Sequence, residues 1–143
     1  IAERKEKHRI KHDVIRELID GKRVAVIDDS IVEGVTSQKI VALLRQNGAK
    51  SVYLLSSSPP PIAACYFGVP TAPVHRRLIA ADHKGNVEAI RKEIGADYLG
   101  YLSIASTVRS VIETPPIIAD YPKLTEEDFC VSCFTGKYQI PIS

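Results

Sequence analysis

Two groups of residues in this 143-residue chain have types and spacing suited to chemistry. The first closes the run Arg23-Val-Ala-Val-Ile-Asp28-Asp29-Ser30-Ile-Val-Glu33-Gly34-Val35-Thr36-Ser37. An apolar stretch ends in two adjacent carboxylates, and a loop with hydroxyls and a glycine follows. Carboxylates accept hydrogen bonds from sugar hydroxyls or help hold Mg²⁺. A loop that opens a helix offers unpaired backbone N–H groups and the positive end of the helix dipole, a natural phosphate cradle. Acids beside such a cradle point to a sugar phosphate. The plainer alternative is a helix start that the acids merely cap. The second group is the cysteines. Cys130-x-x-Cys133 can present two sulfurs to one metal from a tight turn. A redox pair is expected at a helix start after a strand, not in a C-terminal tail. A zinc site needs two more ligands, and Cys65 is the one other cysteine. Three idle thiols in a reducing cytosol remain the alternative.

These residues need elements to position them. Val24 to Ile27 is apolar and β-branched, which suits a strand buried on both faces. Asp28 and Asp29 then stand at its carboxyl end, where open α/β sheets bind ligands. A helix over 36–46 turns Ile40, Val41, Leu43 and Leu44 toward the sheet, and Asn47-Gly48 stops it. Residues 51–56 form a second strand, so the unit is βαβ and parallel. The Ser56–Pro61 loop leaves that strand on the side of the acid pair. Shorter helices are expected over 13–19, where Asp20-Gly21 ends the element, and over 74–81. Asn86 and Gly95 cap a helix over 87–94. A third short strand spans 98–102, and a helix over 103–113 stops at Pro115-Pro116. Beyond Ala119 the chain reads as loop, and no internal repeat is present.

Length gives one domain with enough apolar residues, 45%, for a real core. A net charge of +2 makes no general case for nucleic acid or membrane binding. No apolar run approaches the roughly 18 residues of a membrane helix and no signal peptide is seen, so a cytoplasmic protein is expected. The mixed charges from Glu3 to Arg9 read as a solvated helix face. His8, His12, His75 and His83 show no ligand spacing and read as surface residues. The chain begins at Ile1 without a methionine, so a fragment, a processed piece or a separate subunit is expected.

The acid-pair segment, Asp28-Asp29-Ser30-Ile-Val-x-Gly34-x-Thr36-Ser37, resembles the ribose-phosphate motif of the type I phosphoribosyltransferases, in the form of the glutamine amidophosphoribosyltransferases. The resemblance runs from near Arg9 to about Ile140, the last third of a typical member. It implies that Asp28 and Asp29 contact ribose hydroxyls and Mg²⁺. It implies that Ser30, Glu33, Gly34, Val35, Thr36 and Ser37 form the loop that holds the 5′-phosphate. Two positions depart from the family form: Glu33 replaces a usual arginine and Val35 a usual threonine. One branch of this family carries a [4Fe–4S] cluster on four cysteines. The Cys130-x-x-Cys133-Phe-Thr-Gly136-Lys-Tyr138 segment matches two of them. Pro61-Ile-Ala-Ala-Cys65-Tyr-Phe-Gly68 matches a third, and the fourth lies upstream of Ile1. The cluster is expected to be structural. Arg9-x-Lys11 matches a basic pair that could approach pyrophosphate; a solvated basic face serves as well, and Lys22-Arg23 is equally open.

The fold expected from this resemblance is α/β, part of a parallel-sheet phosphoribosyltransferase domain over 1–119, with an irregular cysteine-bearing tail over 120–143. The expected activity is that of an amidophosphoribosyltransferase of purine synthesis, acting on phosphoribosyl pyrophosphate with Mg²⁺. The glutaminase region would lie in an N-terminal part or a companion chain, since Ile1 cannot serve as its cysteine nucleophile. Purine nucleotides enter as inhibitors, and a homo-oligomer is expected. Two rivals stay open: a non-catalytic ribose-phosphate or nucleotide binding module, and a metal-stabilised interaction domain without ligand.

Overall fold

The computed structural model describes residues 14–69, 77–114 and 123–141. After a short helix α1 (Arg16–Ile19), strand β1 (Arg23–Asp28) leads to α2 (Val35–Gln46) and β2 (Ser51–Ser56). Short α3 (Ile79–Asp82) and α4 (Val87–Ile94) precede β3 (Tyr98–Tyr101), and α5 (Ile104–Ile112) follows. The strands form one parallel sheet in the order β1-β2-β3. The expected βαβ unit is therefore present, and α2 begins one residue earlier than expected, at Val35.

Capping explains the element ends. The Asn86 side chain accepts from the Ala89 N–H at 3.1 Å, and Gly95 closes α4 in the left-handed region. Ser103, expected as the first residue of α5, is instead its N-cap and accepts from the Ser106 N–H at 3.0 Å. β3 ends at Tyr101, and the Leu102 N–H bonds the Ser56 carbonyl at 3.0 Å. Pro115, Pro116 and the first part of the expected 74–81 helix lie outside the described residues; its observed part is Ile79–Asp82.

The core lies on one face of the sheet. Val52, Leu54 and Leu99 meet Val41 and Leu44 of α2, Ile79 and Ala80 of α3, and Ile90 and Ile94 of α4. A fully buried Leu or Ile contributes about 2 kcal/mol through area removed from water. The opposite face is open among the described residues. There Ile27 is 75% exposed and Tyr98 51%. Strand β1 alternates exposed and half-buried positions instead of being buried on both faces as its composition suggests. The apolar run records β-propensity and cannot report which face a neighbour covers.

The tail is more ordered than its sequence suggests. Thr125 and Asp128 form a reciprocal capping box around the 3₁₀ turn Glu126–Asp128. Helix α6 (Ser132–Thr135) follows and ends at Gly136 in the left-handed region.

Candidate functional site

The carboxyl edge of the sheet gathers the acid pair, the helix-opening loop and the Ser56–Pro61 loop. Asp28 is the last residue of β1, level with Ser56 and Tyr101 in one row across the three strands. Its Oδ1 accepts the Asp29 N–H at 3.0 Å, and Asp29 Oδ1 accepts the Ser30 N–H at 2.7 Å. Each carboxylate thus spends one oxygen on shaping the turn and keeps the other for a further partner. Ser57 anchors the neighbouring loop: its N–H donates to the Asp28 carbonyl at 2.9 Å. Its hydroxyl reaches the Asp28 and Asp29 carbonyls at 3.3 and 3.4 Å. Nothing in the Ser-Ser-Ser-Pro sequence singles out Ser57; its role comes from the parallel pairing that sets β2 beside β1.

The loop is built around Gly34. Its φ of +79° is a left-handed value that suits glycine, and a Cβ there would stand 2.5 Å from Ile79 Cδ1. Ile79 is fully buried, and its N–H donates to the Val32 carbonyl at 2.9 Å. The α3 segment is therefore the backing of the loop, a partnership across more than forty residues that local sequence does not signal. No side chain caps α2, so the first-turn N–H groups of Val35, Thr36 and Ser37 have no intrahelical acceptor. Thr36 and Val35 are exposed. Ser37 is 2% exposed and continues the buried stripe of Val41 and Leu44, so its backbone N–H faces the loop more readily than its hydroxyl. Glu33 is half-buried. Residues 28–37 hold three carboxylates and no Lys or Arg. An anion here would rely on N–H donors and the helix dipole, with help from a cation that is not a side chain of this loop. Beside this edge the Tyr101 hydroxyl is enclosed without a described partner, and burial pushes its pKa up to about 12.

No disulfide joins the three cysteines, and the tail folds back to the loop that carries Cys65. The Cys133 carbonyl accepts the N–H groups of Ile62 and Ala63 at 2.9 and 3.0 Å. The Tyr138 hydroxyl donates to the Ala64 carbonyl at 2.6 Å. Its ring meets Tyr66 and Phe67 edge-on, with centroids 5.3 and 6.2 Å apart. Backbone N–H groups of Phe67 and Val69 pointing at Cys65 lower its thiol pKa. Burial raises that of Cys133, and the nearby Cys65 and Cys130 thiolates add to the rise by like-charge repulsion. Among the described residues no three His, Cys, Asp or Glu side chains are grouped to hold a single metal ion.

His83, expected at the surface, is 26% exposed at its side chain, and its Nε2 lies 2.5 Å from Glu93 Oε2. The turn between α3 and α4 folds His83 back against α4 and brings the two together. His8, His12, His75, Arg9 and Lys11 lie outside the described residues. No described helix is long and apolar enough to cross a membrane.

The chain is similar to amidophosphoribosyltransferases over nearly its whole length. It is 40% identical over 136 residues to the amidophosphoribosyltransferase of Bacillus subtilis, covering 94% of this chain and 26% of that protein. It is 38% identical over 134 residues to that of Archaeoglobus fulgidus, covering 94% of this chain and 27% of the relative. Amidophosphoribosyltransferase 3 of Arabidopsis thaliana, a chloroplastic protein, is 42% identical over 132 residues. Among solved structures, the glutamine phosphoribosylpyrophosphate amidotransferase of B. subtilis complexed with ADP and GMP superposes with a TM-score of 0.76. That match has 40% identity and covers 96% of this chain and 28% of the other. The chain therefore spans about a quarter of these relatives, less than the third its motifs suggest. No family profile matches it.

Proposed function

We propose that this chain, which belongs by homology to the amidophosphoribosyltransferases, carries the phosphoribosyl-binding part of such an enzyme. The reaction assigned to the complete protein joins phosphoribosyl pyrophosphate, glutamine and water into 5-phosphoribosylamine, pyrophosphate and glutamate. Ammonia released from glutamine attacks the anomeric carbon. The C–N bond forms as the C–O bond breaks, and pyrophosphate leaves with the bonding pair. The glutaminase step belongs to a region or companion chain other than residues 1–143.

One observation carries the assignment: two carboxylates with an open oxygen each stand beside an uncapped helix start. Asp28 and Asp29 receive the ribose hydroxyls, fixing the sugar by two charge-assisted hydrogen bonds. Ser30, Glu33, Gly34, Val35, Thr36 and Ser37 form the loop that takes the 5′-phosphate, through backbone N–H groups and the Thr36 and Ser30 hydroxyls. Holding sugar and phosphate fixes the anomeric carbon, so most of the rate gain comes from positioning and electrostatic stabilisation.

Mg²⁺ fits this donor set, because residues 28–37 are acidic and lack a cation of their own. Asp28 and Asp29 would hold it, and the chemistry it would supply there is positive charge to offset that of the pyrophosphate group. A [4Fe–4S] cluster fits the cysteines. The tail is docked on the Cys65 loop by its backbone, and Cys65 and Cys130 lie near enough for their charges to raise the Cys133 pKa. A cubane takes each thiolate on a different iron, so its sulfurs need not crowd as around one ion. Cys65, Cys130 and Cys133 would hold it with a fourth ligand from elsewhere, and its role is structural. On this reading residues 1–119 belong to the transferase domain and 120–143 to the cluster-bearing tail. Three cysteines without a disulfide suit a reducing cytoplasm. The nucleotides bound to the B. subtilis protein support purine nucleotides as ligands.

Calorimetry with phosphoribosyl pyrophosphate and Mg²⁺ tests the assignment. The double substitution Asp28→Asn, Asp29→Asn should abolish binding while the fold survives; unchanged affinity would sink it. The half-buried Glu33 in the loop favours a second reading, a regulatory ribose-phosphate or nucleotide module without turnover. Full-length protein that binds the sugar phosphate but forms no phosphoribosylamine from added ammonia would select that module.

A further inference from the structure

Helix α3, behind the loop, is fastened more firmly than its four residues would achieve alone. Arg77, just before it, reaches α4. Its Nη1 and Nη2 donate to the two carboxylate oxygens of Glu93 at 2.6 and 3.0 Å. Its Nε donates to Asp82 at 2.5 Å, at the far end of α3. His83 completes the cluster on Glu93 Oε2. Gln38, in the first turns of α2, donates to the Glu93 backbone carbonyl at 3.4 Å. One residue of α4 thus ties together both ends of α3 and the start of α2.

Between that clasp and the loop stands Ile79. Its N–H holds the Val32 carbonyl, and its Cδ1 fills the space in front of Gly34. Any drift of α3 across α4 moves Ile79, and Ile79 cannot move without displacing Val32 and Gly34. A fully buried side chain in a close-packed interior transmits such a shift. The Arg77 charge is committed to Glu93 and Asp82 and does not reach the ligand loop as a free cation.

We infer that Glu93, acting through Arg77 and Ile79, is a positioning residue for loop 30–37. It sets the N–H groups of the loop before any ligand arrives, which lowers the ordering cost of binding. The link to phosphate rests on the function proposed above; the link to loop order does not. The bidentate fork is the active feature, because a lysine offers a point charge in place of a planar pair of donors.

Amide hydrogen exchange on the labelled chain, without ligand, tests this at Ile79 and at Gln38, whose N–H bonds the Gly34 carbonyl at 2.9 Å. Val26 and Leu54 in the sheet serve as controls. Glu93→Gln should speed exchange at Ile79 and Gln38 about tenfold more than at Val26 and Leu54, whose smaller change reports the loss of global stability. Arg77→Lys should fall between this variant and the wild type. Ribose 5-phosphate with Mg²⁺, titrated into each protein, should lose affinity several-fold in the same order. Unchanged exchange at Ile79 and Gln38 overturns the inference, and so does an equal acceleration at all four amides, which marks general destabilisation. If the wild type binds no ribose 5-phosphate yet exchange follows the expected pattern, the phosphate assignment fails while Glu93 keeps its hold on the loop.

Discussion

Glu33 is the residue whose charge matters most to the proposed ligand. It adds a third carboxylate to a loop that lacks any cation. Glu33→Arg should tighten ribose-phosphate binding by about 1 kcal/mol, with the gain shrinking as salt rises. Titration at two ionic strengths measures this; no gain at low salt would mean that the side chain points away from the phosphate. Glu93 carries a charge that bears on stability. The Arg77 guanidinium and then the His83 ring hold its pKa down to about 2, from 4.5. A depressed carboxylate stabilises the fold above its unfolded pKa, and that contribution disappears as pH falls through the folded value. Unfolding free energy should therefore fall between about pH 5 and pH 2. Glu93→Gln should cost about 1–2 kcal/mol at pH 7 and flatten this part of the profile. Urea melts across the pH range decide it, and an unaltered slope in the variant would rule out the cluster as its source.

At the scale of elements, the site depends on one turn between β1 and α2. Gly34 combines a left-handed backbone with contact against Ile79, so two separate penalties meet at one position. Gly34→Ala should destabilise the chain by about 2 kcal/mol or more, through positive φ and overpacking together. Equilibrium denaturation measures the loss, and a neutral variant would mean that the turn re-forms without glycine. The acid pair itself adds no strain of this kind. Its carboxylates bond the next backbone N–H in sequence, a local arrangement that short polar side chains favour at turns.

At the scale of the molecule, the C-terminal tail packs back on the loop that carries Cys65. Backbone hydrogen bonds and the Tyr138 ring hold them together using this chain's own groups. Full-length protein reconstituted with iron and sulfide should turn brown, and Cys133→Ser should lose the chromophore while the fold survives. Colour retained in that variant would exclude Cys133 as a ligand. Loss of the chromophore together with the near-ultraviolet signature of the folded protein would instead show that the cluster and fold are one unit.

The sequence by itself determined the elements and the chemistry at their ends. The acid pair after a β-branched run, the Asn86 and Gly95 caps and the βαβ order all rest on contacts within a few residues, where propensity and capping act. The cysteine contexts were legible because short motifs stay together along the chain. Tertiary structure decided what sits opposite. That Ile27 is exposed, that Ile79 backs Gly34, that Ser57 braces the acid pair and that His83 meets Glu93 all depend on which surfaces the packed helices cover. Parallel pairing and helix packing join residues tens of positions apart, and a local pattern of apolar and polar residues does not encode which partner arrives.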